Sequence, residues 1–187
     1  MKHSLFAVQI FTRLAESGDL RRDLHELIAA APERVTHVGK HRFYGDLVRL
    51  VQRRRPEIPL GHWDYTSDPE EAEREFHEWS EGTIRDATEM ASHSPDPNQE
   101  RFMFLTVAVL VERKSTTDRA LEKACAIPEA DLWKRATFDK LLQAFGNLDW
   151  RRVRSDVVFL CPGNLERGVT RADLTKPAYA YVNTLTA

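Results

Sequence analysis

Cysteine is scarce in this chain: Cys125 and Cys161 are the two among 187 residues. Their separation fits no zinc or redox motif, and two thiols can form at most one disulfide. Two buried thiols in a reducing cytoplasm is the simpler reading. Excess charge is missing as well. Lys and Arg number 27 against 29 Asp and Glu, a formal net charge of -2, which gives no global pull toward nucleic acid or anionic membrane. Long apolar runs are also missing. FMFLTVAVLV, from Phe102 to Val111, is far short of the roughly 20 residues a membrane helix needs. The apolar segment from Leu5 to Phe11 is broken by Gln9 and followed by Arg13, Glu16 and Asp19, so it reads as a strand rather than the core of a secretory signal. Phosphate loops are absent too. PGNLERG holds two glycines but no Gly-Lys-Ser/Thr ending and no third spaced glycine, so it is a turn by composition.

What remains is ordinary globular material. Hydrophobic residues make up 42% and charged residues 30%, enough to build one core, and the length suits a single domain over residues 1–187.

The pattern of elements follows from periodicity. Leu5 to Thr12 is apolar and β-rich, a first strand. Leu20, Leu24, Leu27, Ile28 and Ala31 recur at helical spacing, with Pro32 closing that helix. Phe43, Leu47, Leu50 and Val51 form a second helical stripe ending near Arg55 and Pro56. GHWDYTS, from Gly61, is a brief strand or an extended entry loop. Ser67 and Glu70 have capping-box spacing with Pro69 in the first turn. Ala72, Phe76, Trp79, Thr83, Ala87 and Met90 then step along one buried helical face. After the Pro-broken segment SHSPDPNQE, the run Phe102 to Val111 predicts a central strand buried on both faces. Ser115 and Asp118 open a short helix with Leu121 and Cys125. Pro128 to Phe145 is helical with a break near Thr137. Val153 to Cys161 is the last clear strand, and Thr170 with Asp173 marks a final short helix. Helices separate the strands, which predicts an α+β domain with a mixed sheet of about four strands covered by helices.

In this order of features the chain resembles an uncharacterised bacterial and plastid family, domain of unknown function 1517. The resemblance rests on Trp63-Asp64-Tyr65 ahead of a helix in which Ala72, Glu73, Phe76 and Ser80 follow an A-E-x-x-F-x-x-x-S pattern. It rests also on the TVAVLV-type strand and on VVFLCPGNLERGVTRADL followed by Pro177 and Tyr179. The family's Trp-Thr-Pro signature is replaced here by Leu160-Cys161-Pro162. The resemblance implies a compact α+β domain and supplies no activity, cofactor or catalytic residue.

Candidate chemistry is thin. Cys161 as a nucleophile needs a histidine base beside it, whereas its alternation with Val157 and Phe159 makes it a small core residue. His37 and His41 have i,i+4 spacing and could share a metal, but no His-Glu-x-x-His pattern supplies further ligands. Glu73, His77 and Glu81 lie on the polar side of a helix. Arg53 to Arg55 and the Arg151, Arg152, Arg154 group could hold phosphate or an acidic partner, or be solvated helix ends. Trp63 and Trp150 lie in or beside loops, where a large ring serves as a contact anchor. These features predict a non-catalytic cytosolic domain that binds another protein as adaptor, scaffold or regulatory subunit, with Trp63, Trp150, Arg151 and Arg152 as binding residues, no cofactor and no metal. Self-association stays open. The alternatives are a small hydrolase or transferase using Cys161 or His37/His41, and a phosphate- or nucleotide-responsive sensor.

Overall fold

The computed structural model describes residues 2–30, 36–90, 99–162 and 168–187, with side chains omitted over 81–90. It is a single α+β fold around one antiparallel sheet. The long strands are β1 (His3–Arg13), β2 (Leu60–Thr66), β3 (Arg101–Glu112) and β4 (Val153–Cys161), and two short ones are β5 (Val169–Thr170) and β6 (Asn183–Thr184). The order is β4-β3-β1-β2-β6, with β5 pairing β3. Between strands lie the helices α1 (Gly18–Ala29), α2 (His37–Arg53), α3 (Pro69–Met90), α4 (Thr116–Cys125) and α5 (Arg135–Gly146).

The expected α+β class holds; β1, β3 and β4 are the strands read from periodicity, and GHWDYTS, open between a strand and an entry loop, forms β2. The sheet, however, is antiparallel in every ladder rather than mixed. Counting reversals gives the reason. Two helices follow β1 and two follow β3, so each of those strands is joined to its antiparallel neighbour by a helix pair. One helix, α3, joins β2 to β3. That single helix makes β2 and β3 run the same way, but β1 lies between them and pairs with both.

Alternation along the central strands splits the core. Phe6, Val8 and Ile10 of β1, with Leu105, Val107 and Val109 of β3, face α1, α2, α4 and α5. Leu5 and Ala7, with Ala108 and Leu110, face α3 through Ala72, Phe76 and Trp79. Farther along the same side, Phe11, Phe102, Phe104 and Cys161 are covered by the C-terminal segment through Val169 and Tyr179. The double-sided burial expected of β3 is therefore observed.

Local signals behave as their chemistry requires. Ser115 Oγ accepts from the Asp118 N–H at 3.1 Å and caps α4. Asp68, not Ser67, caps α3: its Oδ1 accepts from the N–H groups of Glu70 and Glu71, each at 3.1 Å. Pro69 occupies the first helical position as expected. Thr170 and Asp173 exchange bonds, Thr170 N–H to Asp173 Oδ2 at 3.0 Å and Asp173 N–H to Thr170 Oγ1 at 3.1 Å, but open only a 3-10 turn over Asp173–Thr175. Ala31 with Pro32, most of SHSPDPNQE, the turn expected from composition at Gly163 and Asn164, and the side chains of Thr83, Ala87 and Met90 lie outside the described residues.

Candidate functional site

The two tryptophans expected as surface anchors are packed inward. Trp150 is 3% exposed and stacks on Tyr44 with ring centroids 4.2 Å apart, while the Lys40 ammonium lies 5.8 Å from its ring. The short turn Trp150–Arg152, capped by Asp149, drives the ring under α2. Trp63 pairs with Val8 across the ladder, so it shares Val8's helix-covered face. Its Nε1–H donates to the Leu132 carbonyl at 3.1 Å. Each is a loop-adjacent residue in the sequence, but strand parity and turn geometry bring both rings into the core.

The arginines beside Trp150 do reach the surface. Arg151 lies 75% exposed and grips Asp149 through Nε and Nη2, each at 2.9 Å, which holds the Asp149 carboxyl below the usual range. Arg152 Nη1 meets Glu112 Oε2 at 2.9 Å. Arg154 is exposed at a bulge, where Val111 pairs with Val153 and Leu110 with Ser155. The other arginine group is elsewhere. Arg54 meets Glu57 at 3.0 Å and Arg55 meets Asp139. The separation of Lys40 from Arg53 along α2 is about 20 Å at 1.5 Å per residue, so the two groups form no common patch.

His37 and His41 are exposed in the first turns of α2, where Thr36 Oγ1 accepts from the Gly39 N–H at 3.1 Å. Among the described residues no cluster of three or more His, Cys, Asp or Glu could hold a metal. Cys161 is 1% exposed amid Phe11, Phe104 and Tyr179, and Cys125 packs against the core on the opposite side of the sheet. Neither cysteine forms a disulfide. Burial pushes the Cys125 thiol up to about 12, and the nearby Asp64 charge adds to the rise.

What these residues surround is the free edge of the sheet. β4 is the outermost strand, and over 154–160 its outer main-chain groups have no backbone partner among the described residues. Ser155, Val157 and Phe159 point to the α3 side and Asp156 and Val158 to the other, all half-buried. Side chains fix the strand from beneath: Asp156 accepts from the Tyr44 hydroxyl at 2.9 Å and pairs with Lys40. The result is a nine-residue strand, anchored on its faces, with an open row of donors and acceptors along its rim. Such a rim is a template for a further strand.

A second group of polar side chains escaped notice in the sequence. His62 and Asp64 of β2 and Glu75 of α3 meet below an aromatic cluster. His62 lies 6.0 Å from Trp79, 5.9 Å from Trp133 and 5.0 Å from Tyr181, centroid to centroid. The Tyr181 hydroxyl donates to Gln9 Oε1 at 2.9 Å, and Gln9 Nε2 donates to Thr106 at 2.8 Å, so the polar pair inside the sheet is satisfied. Burial holds His62 below its usual range, against the charge of Asp64. Burial and the Asp64 charge push Glu75 up to about 7. The one available signal was Glu75's position, three residues after Ala72 and four before Trp79 on the apolar stripe.

No protein-family model, no curated protein and no solved structure matches this chain. Among the described residues no helix is long and apolar enough to cross a membrane.

Proposed function

We propose that this chain is a non-catalytic, cytosolic interaction domain that binds an extended segment of another protein along the open edge of β4. The reading is supported chiefly by one observation, the outer rim of β4, which over 154–160 has no backbone partner among the described residues and is held by Tyr44 and Lys40. Main-chain pairing supplies affinity in strand addition, and pockets for alternate side chains supply selectivity. Half-buried Val157 and Phe159 offer such contacts on one side of the rim and Val158 on the other. Arg151, Arg152 and Arg154 flank its start, so a carboxylate near the end of the incoming segment is favoured. The bulge at Arg154 bends that end of the strand and limits pairing to the stretch beyond it.

Site-specific photo-crosslinking in the native host tests this. A benzophenone side chain in place of Arg154 should yield a discrete crosslinked protein. The same group in place of Arg22, on α1, should not. Val157→Lys should abolish the product while leaving the far-ultraviolet circular dichroism unchanged. Identical products from positions 154 and 22, or none from 154, would sink the proposal.

A further inference from the structure

Glu75 lies on the sheet side of α3, its side chain 20% exposed. Trp79, one turn later, stacks over His62. Four residues of helix advance about 6 Å and two residues of strand about 6.6 Å, so Glu75 falls over Asp64, two positions along β2 from His62. Glu75 Oε2 is buried without a hydrogen-bond partner among the described residues. Its Oε1 lies 3.8 Å from Arg74 Nη2, but that guanidinium makes its closer contact, 2.9 Å, with Glu78. Two carboxyl groups therefore meet where water is scarce and no cation sits tightly between them.

The surrounding charges reinforce the conflict. Glu71 adds a further negative charge from α3, and Arg74 opposes it weakly. From α4, Cys125 stays a neutral thiol. From β2, His62 is neutral because it is buried. The β1 residue His3 is taken up by Glu73 at 3.0 Å. β3 and β4 present Ala108, Leu110 and Val157 to this side of the sheet, none of which titrates. Among the described residues the cation nearest the pair is Arg74, which is held closer by Glu78, and like charges this close cannot both ionise at little cost.

The geometry points to a proton-operated latch: a proton shared between Glu75 and Asp64 holds α3 on β2, and the grip loosens when that proton leaves. Glu75 binds its proton more tightly in the fold than in the unfolded chain, with about 7 against the ordinary 4.5. The contribution to stability is thus complete below about 4.5 and is lost as pH rises through about 7. The α3 side of the sheet responds to pH near neutrality, independently of what binds β4.

Hydrogen exchange of the α3 amides over 70–80, in the full chain at pH 6.5 and 8.5 and corrected for intrinsic base catalysis, reads the latch directly. The wild type should lose roughly fourfold in protection at the higher pH, and Glu75→Gln should show no such loss. Equal corrected protection at both pH values in the wild type, or the same loss in Glu75→Gln, would overturn the proposal; the second result would assign the effect to another group. The wild type also carries a test that needs no variant. The Glu75 carboxyl carbon, followed by NMR, should titrate near neutrality, and a midpoint in the ordinary carboxylate range would equally overturn it.

Discussion

The Tyr44 hydroxyl donates to Asp156 Oδ2 at 2.9 Å, tying the middle of α2 to the outermost strand of the sheet. The same tyrosine stacks on Trp150, just before that strand, and on Phe145 of α5, with centroids 6.2 Å apart. One side chain thus fixes the strand, its entry turn and a neighbouring helix. Asp156 raises the already burial-shifted Tyr44 phenol further, so the ring stays a neutral donor at any pH the fold survives.

Tyr44→Phe keeps the ring and removes the donor. Asp156 retains Lys40, so the carboxylate is not orphaned. The loss should be about 1.5–3 kcal/mol, that of one hydrogen bond to a charged group, seen as a lower urea midpoint at unchanged m-value. A variant as stable as the wild type would show that Lys40 alone fixes Asp156.

Phe145→Ala removes a fully buried ring that stacks on Phe6 at 4.6 Å as well as on Tyr44. It joins α5 to β1 and α2 within one core on a single face of the sheet, so the ring is lost from the centre of that core. The cost should be about 3–5 kcal/mol, measured by denaturant unfolding. A loss below about 1 kcal/mol would mean that the cavity closes by a helix shift.

Gly61 is a glycine because of space. A Cβ there would stand 2.6 Å from Phe138 Cε1 and 3.1 Å from the Gln9 carbonyl. Gly61→Ala must move either the ring or the sheet, and should destabilise by about 1–3 kcal/mol. Gly61→Ala with Phe138→Leu should recover part of that loss. No recovery in the double variant would move the conflict from the ring to the Gln9 backbone.

His62 sets an acid limit. Its pKa is lowered in the fold, first by burial, so its contribution is present above the unfolded value near 6.5 and is lost as pH falls through the folded value. In a Glu75→Gln background stability should decline below pH 6.5 with a slope approaching about 1.4 kcal/mol per pH unit for this one proton. His62→Gln should flatten that decline in a pH series of urea melts. An unchanged acid limb in the variant would assign it to other groups. Glu75 acts in the opposite sense between about 4.5 and 7, so in the wild type the two contributions oppose each other over a shared range.

The cysteines should be inert in the native fold. Cys161 is enclosed, and the Cys125 thiol, near 12, is protonated at pH 8. Labelling by a thiol-disulfide reagent at pH 8 should therefore follow unfolding rather than precede it. Rapid stoichiometric reaction of one thiol in the native chain would refute this.

The sequence by itself determined the elements. Alternation in Leu5–Thr12, the unbroken run Phe102–Val111 and the stripe Ala72, Phe76, Trp79 place strands and helices because burial imposes a period of 2 or 3.6, which is local information. The helix caps Ser115 and Thr36 act locally too, although the cap of α3 shifted by one residue, since Asp68 beside Pro69 has the stronger acceptor. Tertiary structure decided the rest. Strand direction depended on how many helices each connection holds and how they pack. The inward turn of Trp63 and Trp150 depended on ladder register and on α2. The meeting of His62, Asp64 and Glu75 depended on α3 lying along β2. The openness of β4 depended on its being last in the sheet order. Each is a relation between segments distant in the chain, set by which faces bury together, and no spacing along the sequence encodes it.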